Sequence, residues 1–306
     1  MKISEPLTLA KTSLLGLSIG DAFGETFFGA EEIIASRIHH RELQESDWFF
    51  TDDTVMGIGI YNILSKNKKI DQDQLAREFA DNYLLDNYRG YGGTAHSILK
   101  DFAAGKQWRE VSSGAFDGMG SMGNGAAMRS GPIGAYFHEH IEKVIEQATL
   151  AAEVTHFHNE AIAGAIAVAL AASICTRTGL SGKSLPAKEF FDFIVVNMPE
   201  SDVKHKIKKA ATLPGNYDIR TIVSILGNGI QLTAQDTVPF ALWCAGYHTD
   251  NFEEAIWTAV SGLGDRDTIA AIVGSIVVLV AGENTIPKQW MTRAERFEIS
   301  PFFKRS

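Results

Sequence analysis

Cysteine is nearly missing from this chain: 306 residues hold two, Cys175 and Cys244, each inside an apolar run. So sparse a pair gives no disulfide framework, and points to packing thiols in a reducing, cytoplasmic setting. Proline is also thin, at eight residues, and no Pro/Ser-rich linker, low-complexity tract or fixed-period repeat divides the sequence. A single domain over residues 1–306 is the simplest organisation. Positive charge is in deficit: 28 Lys and Arg against 37 Asp and Glu leave a net charge of −9. That balance argues against a nucleic-acid partner, which needs a basic stripe. It leaves room for an anionic small molecule, because bound metal ions reverse a local field. The longest apolar run, Ala161 to Thr176, is closed by Glu160 and Arg177 and is rich in alanine. It is shorter than a membrane span needs, so a buried helix is expected there, and another at Ile269–Ala281. The first fifteen residues alternate apolar and polar with no cleavage pattern, so neither a leader nor a membrane partner is expected.

Strand patterning is almost absent as well. Val195-Val196 and Ile222-Val223 are too short to outweigh the helical spacing around them. That spacing predicts helices over Leu7–Phe23, breaking at Gly24, then Val55–Leu64, Gln72–Leu85, Thr94–Ala104, Ala126–Phe137, Ile141–Val154 and Glu160–Arg177. It continues with Ala187–Asn197, Asp202–Thr212, Arg220–Leu226, Thr237–Ala245, Phe252–Ser261, Thr268–Ala281 and Pro287–Arg296. The fold class is all-α.

What is present in excess is acid, concentrated at two points far apart in sequence. Thr51-Asp52-Asp53-Thr54 and Gly264-Asp265-Arg266-Asp267-Thr268 each crowd carboxylates beside threonine hydroxyls at the start of an expected helix. Each taken alone reads as an Asp/Thr helix cap. Taken together they suit a shared divalent site, since crowded carboxylates need a cation or a proton between them, and hard oxygen ligands favour Mg²⁺ or Mn²⁺. Glycines gather in loops at Arg89–Gly93, Gly114–Gly125 and Gly227–Gly229. The run Gly120-Ser121-Met122-Gly123-Asn124-Gly125, leading into the helix expected from Ala126, fits a phosphate cradle at a helix N-terminus; the alternative is an ordinary flexible connection. Tyr88 and Tyr91 either stack on a base or wall the core.

Six motifs in order extend this reading: Gly20-Asp21-Ala22-Phe23-Gly24, Thr51-Asp52-Asp53-Thr54, Arg89-Gly90-Tyr91-Gly92, Gly123-Asn124-Gly125-Ala126-Ala127-Met128-Arg129, Thr155-His156 and Gly264-Asp265-Arg266-Asp267-Thr268-Ile269-Ala270-Ala271. From about Leu14 to Trp290 the chain resembles the ADP-ribosylglycohydrolase family. The resemblance implies a compact orthogonal bundle of α-helices around a central cleft holding two divalent cations, Mg²⁺ or Mn²⁺. The implied ligands are Thr51, Asp52 and Asp53 on one side and Asp265, Asp267 and Thr268 on the other. The implied substrate contacts are Ser121, Gly123, Asn124 and Gly125 in the phosphate loop, with His156 and Gly92 nearby. The segment Ala234–Pro239 corresponds to one lying near the adenosine end in relatives.

Two positions depart from the family pattern. Many members carry a glutamate seven residues beyond the aspartate of the first motif, and in the serine-cleaving branch it takes part in catalysis. Here Phe28 stands at that position and Glu25 lies one helical turn earlier, either as its replacement or as a surface residue. Arg266 stands where threonine is common; it either reads a substrate anion or only neutralises local charge. The implied reaction is hydrolysis of the glycosidic bond between ADP-ribose and its acceptor, with Asp53 or Asp267 as base and Glu25 a candidate acid. The implied partner is an ADP-ribosylated protein or a small ADP-ribose conjugate. The competing readings are cleavage of a free conjugate such as O-acetyl-ADP-ribose, a silent binder, and a metal-dependent phosphohydrolase.

Overall fold

The computed structural model describes residues 5–304. Residues 1–4 and 305–306, and with them the ends of the expected 1–306 domain and the start of the N-terminal stretch, lie outside the described residues. The helices run in the order α1 (Pro6–Glu25), α2 (Glu31–His40), α3 (Asp52–Asn67), α4 (Gln72–Leu85), α5 (Gly93–Ala103), α6 (Trp108–Gly114), α7 (Gly131–Tyr136) and α8 (Ile141–Glu153). They continue with α9 (Asn159–Ser181), α10 (Ala187–Asn197), α11 (Asp202–Ala210), α12 (Ile219–Leu226), α13 (Ala234–Tyr247), α14 (Phe252–Val260), α15 (Arg266–Ala281) and α16 (Lys288–Arg293). Among the described residues no strand forms; Trp48 with Ala294 and Gly123 with Thr233 make isolated bridges.

The centre is the antiparallel pair α1 and α15. Gly16, Gly20 and Gly24 fall four residues apart on one face of α1, and they meet Gly274, Ala270 and Arg266, also four apart, on α15. A Cβ on any of the three would lie 2.1–2.4 Å from the carbonyl oxygen it faces, so the two backbones touch directly. This corrects the expected break at Gly24: the helix runs through it, because close approach rather than chain reversal is what that glycine serves. The same contact places the end of α1 against the start of α15.

Other differences have local causes. The helix expected over Ala126–Phe137 is interrupted: Asn124–Ala126 forms a 3₁₀ turn, and α7 begins only at Gly131, with Pro132 in its first turn. Proline suits a helix start but has no N–H to continue a helix already under way. Helix α2 escaped the periodicity because it buries Ile34 alone. Helix α9, at 23 residues, outruns its apolar stretch and is long and apolar enough to cross a membrane, yet most of it is buried by neighbouring helices. Beneath the start of α15, the rings of Phe23, Trp48, Trp257 and Trp290 pack together, Phe23 stacking on Trp290 at 4.2 Å. Such aromatic pairs add about 0.5–1.5 kcal/mol each beyond the area they bury. A T-shaped and stacked cluster of this kind gives the acidic helix starts a firm floor.

Candidate active site

Thr51 caps α3, its hydroxyl oxygen accepting the Asp53 N–H at 3.3 Å. The cap is itself held by Asp21 of α1. That carboxylate accepts the Thr51 N–H at 2.9 Å, the Thr51 hydroxyl at 2.9 Å, the Thr54 N–H at 3.0 Å and the Thr54 hydroxyl at 2.5 Å. Asp21 therefore fastens the start of α3 onto α1, which is already pressed against α15. Across the gap, the Thr268 hydroxyl of α15 donates to Asp53 Oδ2 at 3.3 Å. The two acidic stretches, more than two hundred residues apart in sequence, thus meet in space.

Their carboxylates repel one another. Asp21, Asp53 and Asp267 each offer an oxygen within 4.8 Å of the others. Burial first, and neighbouring carboxylates second, push Asp52, Asp53 and Asp265 well above the ordinary aspartate value; Asp21 rises to about 7 through burial and then Asp267. Asp267 rises too, through burial. In a low-dielectric setting such a group is stable only with protons or cations among its oxygens. Two buried oxygens, Asp53 Oδ1 and Asp267 Oδ1, have no hydrogen-bond partner. Asp21 differs, because four donors already occupy its oxygens. The unpartnered oxygens fit a hard divalent cation, and the surrounding set is all oxygen: Thr51, Asp52, Asp53, Asp265, Asp267 and Thr268. Asp265 starts α15 without capping it; its Oδ2 instead accepts from Asn124 Nδ2 at 2.6 Å.

The glycine loop lies beside Asp265. Its chain is pinned to residues 232–234 by the Asn124 N–H to the Leu232 carbonyl and the Ala234 N–H to the Met122 carbonyl, both 3.0 Å. The expected α-helix N-terminus at Ala126 does not form, so the cradle is a loop followed by a 3₁₀ turn. Ser121 is buried and its hydroxyl accepts the Gly123 N–H at 3.2 Å. The Asn124 side chain turns toward the acidic cluster, bonding Asp265 and the Thr237 hydroxyl. His156 lies against this loop: a Cβ on Gly123 or Gly125 would come 3.1 or 3.2 Å from its Nε2. Phe116, Met119, Met122, Ile230 and Leu232 are exposed along this loop pair, an apolar rim that no helical period signals.

The remaining residues are placed as follows. Glu25 ends α1 with its side chain open to solvent; partial desolvation and then the Asp267 charge push it up to about 7, and water screens both. Arg266 does not point outward. It is buried, its guanidinium 5.2 Å from the Phe28 ring centroid, and Nη2 donates to the Leu263 carbonyl at 3.0 Å. Gly92 precedes α5 with open space on its side-chain side; in that loop it is the Arg89 carbonyl that meets the cluster, accepting the Asp52 N–H at 2.6 Å. Tyr91 walls the core against Tyr83, and Tyr88 is exposed. Asp21 is the residue that composition and spacing passed over as a member of the cluster. Its signal was a charge set between small residues in an otherwise apolar helix.

Comparison with known proteins agrees in extent with this geometry. The model for "ADP-ribosylglycohydrolase" matches residues 4–302. The chain is 29% identical to ADP-ribosylhydrolase ARH3 of Xenopus tropicalis, covering 94% of this chain and 91% of that protein. It is 27% identical to the Homo sapiens protein of the same name, over 96% and 91%, and 25% identical to ADP-ribosylarginine hydrolase Tri1 of Serratia proteamaculans, over 95% and 76%. A solved structure titled "ADP-ribosylglycohydrolase-related protein complex" superposes with a TM-score of 0.65 at 23% identity, covering 95% of this chain and 93% of that one, and so shares the fold. With a family match along nearly its whole length, this chain belongs to the ADP-ribosylglycohydrolase family, the hydrolases of glycosidic bonds.

Proposed function

We propose that the chain hydrolyses the bond between the ribose carbon of ADP-ribose and its acceptor, a modified protein side chain, and that it needs two divalent cations, Mg²⁺ or Mn²⁺, to do so. The observation that carries this reading is the pair of unpartnered buried oxygens, Asp53 Oδ1 and Asp267 Oδ1, inside a cluster of raised carboxylates facing a glycine loop. Thr51, Asp52 and Asp53 hold the cations from α3, and Asp265, Asp267 and Thr268 hold them from α15. When bound, such ions orient ribose hydroxyls and lower the pKa of water. Asp53 or Asp267 accepts the proton of the attacking water as its oxygen bonds to the ribose carbon. The bond to the acceptor breaks, and Glu25, at the end of α1, supplies a proton to the departing atom. Ser121, Gly123, Asn124 and Gly125 seat the diphosphate, and His156 lies beside it. Phe116 and Met122, exposed on the same loop, offer apolar faces to a base. Arg266, stacked under Phe28 at the Glu25 side, supports the region where the acceptor enters rather than the phosphates.

The test is release of free ADP-ribose from ADP-ribosylated arginine, ADP-ribosylated serine and O-acetyl-ADP-ribose, with Mg²⁺ and with chelator. Metal-dependent release of ADP-ribose from a protein conjugate is expected. AMP or inorganic phosphate as product would move the chemistry to phosphorus. Silence on all three, with ADP-ribose still bound, would make the chain a binder.

A further inference from the structure

His156 is held by more than packing. Arg129 is completely buried, its guanidinium 4.7 Å from the Phe79 ring centroid. It donates to the Gly125 carbonyl at 3.1 Å, the Ala151 carbonyl at 3.0 Å and the Thr155 hydroxyl at 2.7 Å. Thr155 is buried too, and its hydroxyl lies 2.7 Å from His156 Nδ1. An arginine has donors only, so the Thr155 oxygen accepts from it and must place its own single proton elsewhere. His156 Nδ1 is the acceptor within reach, and a buried hydroxyl proton without an acceptor is costly. Nδ1 therefore carries a lone pair, and the ring's proton sits on Nε2. Burial and the Arg129 charge act in the same direction, holding the imidazole down to about 3 and so neutral.

The Nε2 end faces the loop. Gly123 has φ −61°, and neither Gly123 nor Gly125 lies in the left-handed region. Their lack of a side chain is not required by backbone conformation. It is favoured by the ring, since a Cβ at Gly123 or Gly125 would come 3.1 or 3.2 Å from Nε2 and press on it. The two glycines thus keep the Nε2 proton open to whatever lies on the loop, while Arg129 ties that loop, through the Gly125 carbonyl, to the same Thr155.

We propose that Arg129 and Thr155 are positioning residues that lock His156 as a neutral donor, its Nε2–H aimed at an oxygen of an anionic group seated on the Gly123–Gly125 loop. This rests on the loop being the anion-binding wall, but the ring's state is readable without any ligand. A donor that carries no charge leaves cation affinity to the acidic wall and gives the loop direction instead of added field.

The experiment is ¹⁵N-resolved NMR of the His156 ring in the whole chain, with ADP-ribose titrations of Thr155→Val and Thr155→Ser alongside. In the wild type the ring should show the Nε2–H form and stay neutral between about pH 5 and 8, where an ordinary histidine titrates. Thr155→Val should shift the Nδ1 resonance and weaken ADP-ribose binding about tenfold, the scale of one lost hydrogen bond; Thr155→Ser should restore both. A proton on Nδ1, a ring that titrates in that window, or a Thr155→Val protein with unchanged ring resonances and unchanged affinity overturns the proposal. If no variant and no wild type binds ADP-ribose, the loop's assignment fails separately, and the ring's form in the free protein still decides the lock.

Discussion

At the scale of single residues, five aspartates crowd one place and divide by what surrounds their oxygens. Asp53 and Asp267 keep buried oxygens without partners, whereas Asp21 has four donors on its carboxylate. Asp267→Asn should therefore abolish ADP-ribose release, by at least about a hundredfold, without lowering the melting temperature in chelator, because it removes a repulsive charge. Asp21→Asn should instead destabilise the fold by about 1–3 kcal/mol, since its amide donors face N–H groups and hydroxyls that need an acceptor. Thermal melts and product assays on the two proteins separate these outcomes; equal stability of both in chelator would remove the division. Much of this was legible beforehand, because crowded acid beside threonine at two helix starts is rare without a purpose. The directions of Asn124 and Arg266 were not legible. Asn124 turns toward Asp265, 141 residues away, and Arg266 is fixed by the Phe28 ring, so each depends on a neighbour that no local pattern specifies.

At the scale of elements, the decisive contact is the glycine face of α1 against α15. A methyl at Gly20 would lie 2.1 Å from the Ala270 carbonyl oxygen, one residue from Asp21 and three from Asp267. Gly20→Ala should cost about 1–3 kcal/mol or more by overpacking, and should lower activity with it as the two acidic stretches are pushed apart. Gly114→Ala, with open space around it, should leave both unchanged. A Gly20→Ala protein that melts and turns over like the parent would show that the backbones can part freely. Helix positions such as Gln72–Leu85 and Ala187–Asn197 were readable from apolar spacing because each buries one stripe. Spacing failed where burial is slight, whereas the almost wholly buried α9 and α15 were still placed by their unbroken apolar runs. Gly24 looked like a terminator because the sequence does not show another backbone arriving, and α2 left no stripe to read.

For the whole molecule, the raised carboxylates make stability depend on pH and metal together. Without cations, the folded cluster binds protons more tightly than the unfolded chain, so stability falls as pH rises above the unfolded value of 3.8, through about 7 for Asp21, with the other raised aspartates adding to the fall. Cations need the ionised form, so their effect grows over the same range. In chelator the melting temperature should drop from pH 5 to pH 8. With free Mg²⁺ at about a hundred times Kd, about 2.7 kcal/mol should be regained, several degrees for a chain of this size. A chelated protein whose melting temperature stays flat or rises over that interval would contradict a buried, uncompensated cluster. The backbone contact between α1 and α15 also decides how far the two acidic stretches can shift against each other. Where Gly16, Gly20 and Gly24 face backbone carbonyls, the two helices have little room to slide or repack, so the acidic stretches they carry are held in one register. The apolar side chains left in solvent lie instead on the neighbouring loops, at Met122 and Leu232.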